Sequence, residues 1–173
     1  MKKQYPLVMG ILAVIIAIAF FLPWVSVESA PVSAVSKVLT GSGQAIVDNI
    51  SAYDVPVLAN SSESRLVISI IKIFNPGITN ADKKSFLIWA IPLLAVILVV
   101  VSHMFGDKKI TNLIISVLGV AIFAVALFKL QTTDLNKLVI QINIGIGVWL
   151  TLYGYLGMGI ASIVNLLPLL KKK

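Results

Sequence analysis

Cysteine is absent from this chain. Its absence excludes disulfides, thiolate metal sites, iron–sulfur clusters, thioether-attached haem and lipidation at cysteine. Charge is scarce too: Asp, Glu, Lys and Arg make up 12% of the 173 residues, against 58% hydrophobic, and the mean hydropathy is +1.01. A water-soluble domain of this size needs a polar surface that this composition cannot supply. Soluble enzymes, nucleic-acid binders and disordered chains are excluded on that ground, and an integral membrane protein is expected.

What is present is apolar sequence in long runs. A membrane-crossing helix needs roughly 20 predominantly apolar residues to pass about 30 Å of hydrocarbon. Four stretches qualify, about 6–24, 86–103, 110–128 and 138–164, and none holds an Asp, Glu, Lys or Arg. In lipid such a stretch satisfies its backbone as helix without stranding a charge. A cleaved signal peptide would also begin with Met1-Lys2-Lys3, with Val32-Ser33-Ala34 as cleavage site. The first apolar run is longer than the roughly 7–15 residues of a signal core, so an uncleaved anchor is the better reading. The fold class expected is therefore all-α: a bundle of four membrane helices forming a single domain over 1–173, with an outer loop over 25–85.

The formal charge of +7 has a topological reading rather than a nucleic-acid one. With both termini inside, seven Lys/Arg fall on each side, but Lys2, Lys3, Lys108, Lys109 and Lys171 to Lys173 are packed into two short tails and one tight turn. Short segments near span ends weigh most in the positive-inside rule, so both termini are expected in the cytoplasm. Trp24 and Trp89 are expected as anchors at headgroup level.

In the outer loop, Val alternates with Ser and small residues from Ser26 to Thr40, which suits short strands or extended chain. Asn60-Ser61-Ser62-Glu63 offers side-chain oxygens and an acid for a helix start. Leu66, Val67, Ile70, Ile73 and Phe74 then share one face of an amphipathic helix over 62–74, ended by Asn75-Pro76-Gly77. The sequons at Asn49 and Asn60 agree with an outside location.

Polar residues within spans are costly and often functional. Gln141, Asn143, Thr151 and Tyr153 on the fourth stretch form a candidate polar path, or else hydrogen-bond to neighbouring helices. Gly157 and Ala161 lie four apart on the same stretch, and Ala13 and Ala17 form a similar small patch on the first. Such pairs let helix backbones approach closely, within the chain or against a partner. His103, the sole histidine, sits beside Met104, and adjacent residues cannot ligate one haem iron from opposite sides; Met9 would have to serve from another helix. Pro92 is expected to kink the second span.

No span carries a carboxylate or lysine, which removes the usual equipment of proton-coupled transport and intramembrane acid–base catalysis. Glu28, Asp48, Asp54, Glu63 and Asp82 in the outer loop lack histidine or cysteine partners, metal-ligand spacing or a nucleophile motif. The chain is accordingly expected to be no enzyme and to need no cofactor or metal. Its expected partners are membrane lipids and other membrane proteins or a second copy, with no nucleic acid.

The layout, with Leu22-Pro23-Trp24-Val25 directly after the first span and a first outer loop of about sixty residues, resembles that of the claudin-like four-span proteins. The claudin cysteines are missing, so barrier or paracellular pore function does not carry over. Pro23-Trp24-Val25-Ser26-Val27, Ser51-Ala52-Tyr53-Asp54-Val55-Pro56-Val57 and Gly147-Val148-Trp149-Leu150 are more similar to segments of small uncharacterised prokaryotic four-span membrane proteins. That resemblance implies no activity and supplies no site residues. Two functional expectations follow: a non-catalytic accessory or scaffold subunit of an envelope complex in a prokaryotic plasma membrane, or a small channel or carrier of lipid or other hydrophobic molecules.

Overall fold

The computed structural model describes residues 4–28, 49–59, 85–132 and 141–171. The amphipathic helix expected over 62–74 and most of the alternating segment 26–40 lie outside the described residues.

Helix α1 spans Tyr5–Phe21. Pro6 lies in its first turn, where the missing N–H is one no helix satisfies anyway. The helix stops early because Pro23 biases the preceding residue away from helical backbone, and Leu22 is extended at φ −80 and ψ 160. Strand β1, Pro23–Glu28, follows at once. Trp24 is thus a strand residue, not the last residue of a 6–24 helix.

Strand β2 (Asn49–Ser51) leads into the short helix α2 (Asp54–Ala59). Their junction is a reciprocal cap. Ser51 Oγ accepts from the Asp54 N–H at 3.3 Å, and Asp54 Oδ2 accepts from the Ser51 N–H at 3.0 Å and from its hydroxyl at 2.6 Å. A 3-10 stretch, Ser85–Trp89, then runs into α3, Ala90–Phe105. Pro92 falls in the first turn of α3, where proline removes little, not two turns inside the span where a kink is expected.

After a turn at Gly106, α4 covers Lys109–Thr132. The fourth apolar stretch divides. Residues Gln141–Ile144 form strand β3, and only Ile146–Lys171 is helical, as α5. The β-branched, alternating Gln-Ile-Asn-Ile run suits a pleated strand, and Gly145 allows the close approach that starts the helix. Its N–H donates to the Trp24 carbonyl at 2.8 Å.

The expected helical class, with short strands in the outer loop, holds in part: a small sheet accompanies the helices, and one of its strands comes from the fourth apolar stretch. The sheet is antiparallel in the order β2-β1-β3. Val25 faces Ile50 on one side and Ile144 on the other, and Ser26 likewise faces Asn49 and Asn143. Neighbouring rows point to opposite faces. The row Ile50, Val25, Ile144 is apolar, with Ile50 and Val25 buried, whereas Asn49 and Asn143 in the next row are exposed.

The chain is mostly helical. Among the described residues three helices are long and apolar enough to cross a membrane, as an integral membrane protein requires: Ser85–Phe105, Lys109–Thr132 and Ile146–Leu170. Only 22%, 17% and 39% of their most apolar windows are buried, so most of that surface faces outward and needs a hydrocarbon solvent. Helix α1, at 17 residues, is shorter than those three.

Helix α5 is the hub, packing against α4 and α1, while α3 packs against α1 and receives the Tyr155 hydroxyl of α5 at its Ile91 carbonyl. The core gathers Tyr5, Met9 and Ile16 of α1, Ala95 and Leu98 of α3, Ile115 of α4, and Tyr155 and Met158 of α5. In lipid, apolar burial does not drive helices together, because the surrounding tails are equally apolar. Close packing and interhelical hydrogen bonds do so instead.

Candidate functional site

Two ends of the helix assembly carry polar organisation, and each is built from distant parts of the chain. At one end lie the start of α1, the turn between α3 and α4, and the last turns of α5. Tyr5 and Ser162 share a hydrogen bond of 2.9 Å between their hydroxyls, and Ser162 also donates to the Met158 carbonyl. The Gly106 carbonyl, at the end of α3, accepts from Asn112 of α4 at 2.6 Å and from Asn165 of α5 at 3.0 Å. Asn112 gives its other amide hydrogen to the Lys108 carbonyl, and its oxygen accepts from Asn165 Nδ2 at 3.0 Å. Two asparagines therefore cap one helix end and join three segments.

Asn112, Ser102 and Ser162 are almost wholly buried, and no buried side-chain nitrogen or oxygen among the described residues lacks a partner. That satisfaction is what makes the cluster tolerable in an apolar setting. Each interhelical bond contributes about 0.6 kcal/mol on average. Their value lies in number and direction, since apolar contact alone leaves rotation about a helix axis poorly defined.

At the other end the sheet is pinned to the helices. Trp24 Nε1 donates to the Ala19 carbonyl at 2.9 Å, satisfying a C-terminal carbonyl of α1, and the Tyr53 N–H donates to the Phe20 carbonyl at 3.3 Å. Trp89 lies 4.8 Å from Phe20 and 5.9 Å from Tyr53, ring centre to ring centre, and Phe21 meets Tyr53 at 5.5 Å. The two tryptophans read as interfacial anchors thus both lie at the end where the helices meet the sheet, Trp24 on Ala19 and Trp89 on Phe20. Trp24 is partly buried and Trp89 partly exposed.

The four residues of the candidate polar path do not converge. Gln141 and Asn143 are in β3, outside the helix. Thr151 is buried and donates to the Gly147 carbonyl one turn back at 2.8 Å. Tyr153 is exposed, stacked on Trp149 and close to Phe123. His103 is exposed while Met9 is buried in the core. Among the described residues no three His, Cys, Asp or Glu side chains stand together as a metal set would.

The small-residue face of α5 receives α1. A methyl added at Gly157 would lie 2.9 Å from Leu12 Cδ2, and one at Gly154 would lie 2.6 Å from Ile16 Cγ1. Ala13 and Ala161 pack against the edge of the same core, and Ala17 is partly buried. A second close crossing joins α4 and α5, backbone against backbone. A methyl on Gly119 of α4 would lie 2.6 Å from the Tyr155 carbonyl and 2.8 Å from the Gly159 nitrogen.

Sequence reasoning did not single out Gly119, Asn112 or Asn165. The signal was present in α4: Asn112, Ser116 and Gly119 fall at i, i+4 and i+7, one small and polar stripe on an otherwise apolar helix. All three are buried. Comparison with protein-family models, curated proteins and solved structures returned no match.

Proposed function

We propose that the chain is a non-catalytic, four-span integral membrane protein that serves as an accessory or scaffold subunit in a prokaryotic plasma membrane. In this reading α1 is the remaining span. Its 17 residues cover about 25 Å as helix. With the extended Leu22 beyond its end, α1 comes close to the roughly 30 Å of hydrocarbon. Both termini and the Gly106 turn, where lysines concentrate, lie in the cytoplasm, and the sheet lies outside in a claudin-like layout.

The observation that carries the proposal is the sheet. Three segments far apart in sequence are brought together, pinned to the helix ends by Trp24 and Tyr53, and left with a polar row at Asn49, Ser26 and Asn143 on the face opposite the apolar one. Ser26 Oγ donates to Asn49 Oδ1 at 2.8 Å, which orients that row. A rigid platform of amides and hydroxyls is a contact surface, because fixed polar groups recognise a partner without ordering cost. The α1-facing glycines of α5 are already occupied within the chain, so partner contact is assigned to the platform. The carrier reading draws no support from the dispersed positions of Gln141, Asn143, Thr151 and Tyr153.

The test is purification from the native membrane in mild detergent, with mass spectrometry of what accompanies the chain in stoichiometric amount. The proposal expects a reproducible protein partner that is lost when Ser26 and Asn143 are both replaced by Arg. A chain that purifies alone or only with lipid contradicts it.

A further inference from the structure

A groove of about 210 Å³ opens between the start of α1 and the last turns of α5, lined by Gln4, Tyr5, Val8, Ala161, Val164 and Asn165. It is smaller than the roughly 300–1,000 Å³ of ordinary small-molecule sites. Val8 and Val164, which form its walls, are 40% and 42% exposed, so it opens sideways from the helices. That shape suits a length of acyl chain entering from surrounding lipid.

The polar end of the groove has a definite chemistry. Asn112 gives both of its amide hydrogens to backbone carbonyls, so the atom it offers Asn165 must be its oxygen. Asn165 in turn spends its amide nitrogen on that oxygen and on the Gly106 carbonyl. The network fixes which way both amides point. Asn165 Oδ1 is the remaining acceptor of that amide, and Asn165 and the exposed Gln4 both line the groove. Such an acceptor calls for a hydrogen-bond donor on the occupant.

Charge decides the class. The turn that supplies the Gly106 carbonyl also carries exposed Lys108 and Lys109, with the Lys108 ammonium 4.8 Å above the Phe105 ring. In sequence, Lys2 and Lys3 directly precede Gln4, and Lys171 to Lys173 follow Asn165 after five residues, against a single carboxylate in these segments, Asp107. We propose that the groove seats an anionic phospholipid whose headgroup also carries a hydroxyl, as phosphatidylglycerol does. One acyl chain lies against Val8, Ala161 and Val164, the headgroup hydroxyl donates to Asn165 Oδ1, and the phosphate is held by lysines. The site would order lipid around the α1–α5 contact. It is independent of the platform and of any protein partner.

The experiment is native mass spectrometry of the detergent-purified full chain, titrated with phosphatidylglycerol, phosphatidylethanolamine and phosphatidylcholine. Phosphatidylglycerol is expected to be retained at least about fivefold more than either zwitterionic lipid. Replacing Lys108 and Lys109 by Gln should cut retention by about fivefold per lysine, the effect of roughly 1 kcal/mol per basic residue near anionic lipid. Val8→Trp, which fills the groove, should remove the preference. If Val8→Trp does not fold, the lysine variant and Ala161→Leu carry the test. Equal retention of the three lipids, or a preference that survives in folded groove-filling variants, overturns the proposal.

Discussion

The side-chain nitrogen of Asn165 on α5 lies 3.0 Å from the side-chain oxygen of Asn112 on α4, and both amides converge on the carbonyl of Gly106 at the end of α3. Residues 53 positions apart thereby close one end of the helix assembly around a single backbone oxygen. Asn112→Leu removes three bonds of the cluster, those to the Gly106 and Lys108 carbonyls and the one from Asn165, at a cost of about 1–3 kcal/mol. Asn165→Leu should cost less, because Asn112 still caps the turn. A double-mutant cycle on thermal unfolding in detergent should return a coupling of at least about 0.5 kcal/mol; strictly additive effects would mean the two amides act separately.

The crossing of α4 and α5 depends on Gly119. A methyl there would press on the Tyr155 carbonyl and Gly159 nitrogen, which are backbone and cannot turn aside. Gly10 on α1 has nothing within 4 Å of an added methyl. Gly119→Ala should therefore lower the melting temperature markedly, while Gly10→Ala should leave it unchanged or raise stability by up to about 1 kcal/mol through helix propensity. Equal effects at the two sites would contradict the crossing.

Gly157 faces the flexible end of Leu12, so its substitution can be compensated. Gly157→Leu should destabilise the chain by about 1–3 kcal/mol through overpacking. Adding Leu12→Ala should recover much of that loss in the same melting assay. Recovery identifies α1 as the neighbour of this face; its absence, with assembly lost instead, would assign the face to another molecule.

The extent to which the sequence foretold this structure differs by element. Charge-free apolar runs located α3, α4 and most of α5, because length and hydropathy suffice in lipid. The end of α1 was misplaced by three residues because Pro23 acts on the residue before it, an effect hydropathy does not register. Strand β3 was hidden inside an apolar run: Gln141–Ile144 becomes a strand only because β1 lies beside it, a pairing of segments more than one hundred residues apart. The asparagine cluster was overlooked for a related reason. An Asn near a span end has an ordinary interfacial explanation, and only the fold shows that Asn112 is fully buried.

The native chain contains no cysteine, so single cysteines report topology without background. Asn143→Cys and Lys108→Cys both place an exposed thiol, one at the sheet and one at the Gly106 turn. In intact cells a membrane-impermeant maleimide should label the first and reach the second only after permeabilisation. Labelling of both from one side would refute the four-span arrangement with the sheet outside.

The central claim, that the outer sheet is a docking platform for another protein, is tested most directly by placing a photocrosslinking amino acid at Asn143 and irradiating native membranes. The account predicts a discrete heavier adduct containing one other protein, formed from Asn143 but not from lipid-facing Leu113 on α4. Crosslinking to lipid alone, or equally diffuse crosslinking from both positions, would contradict it.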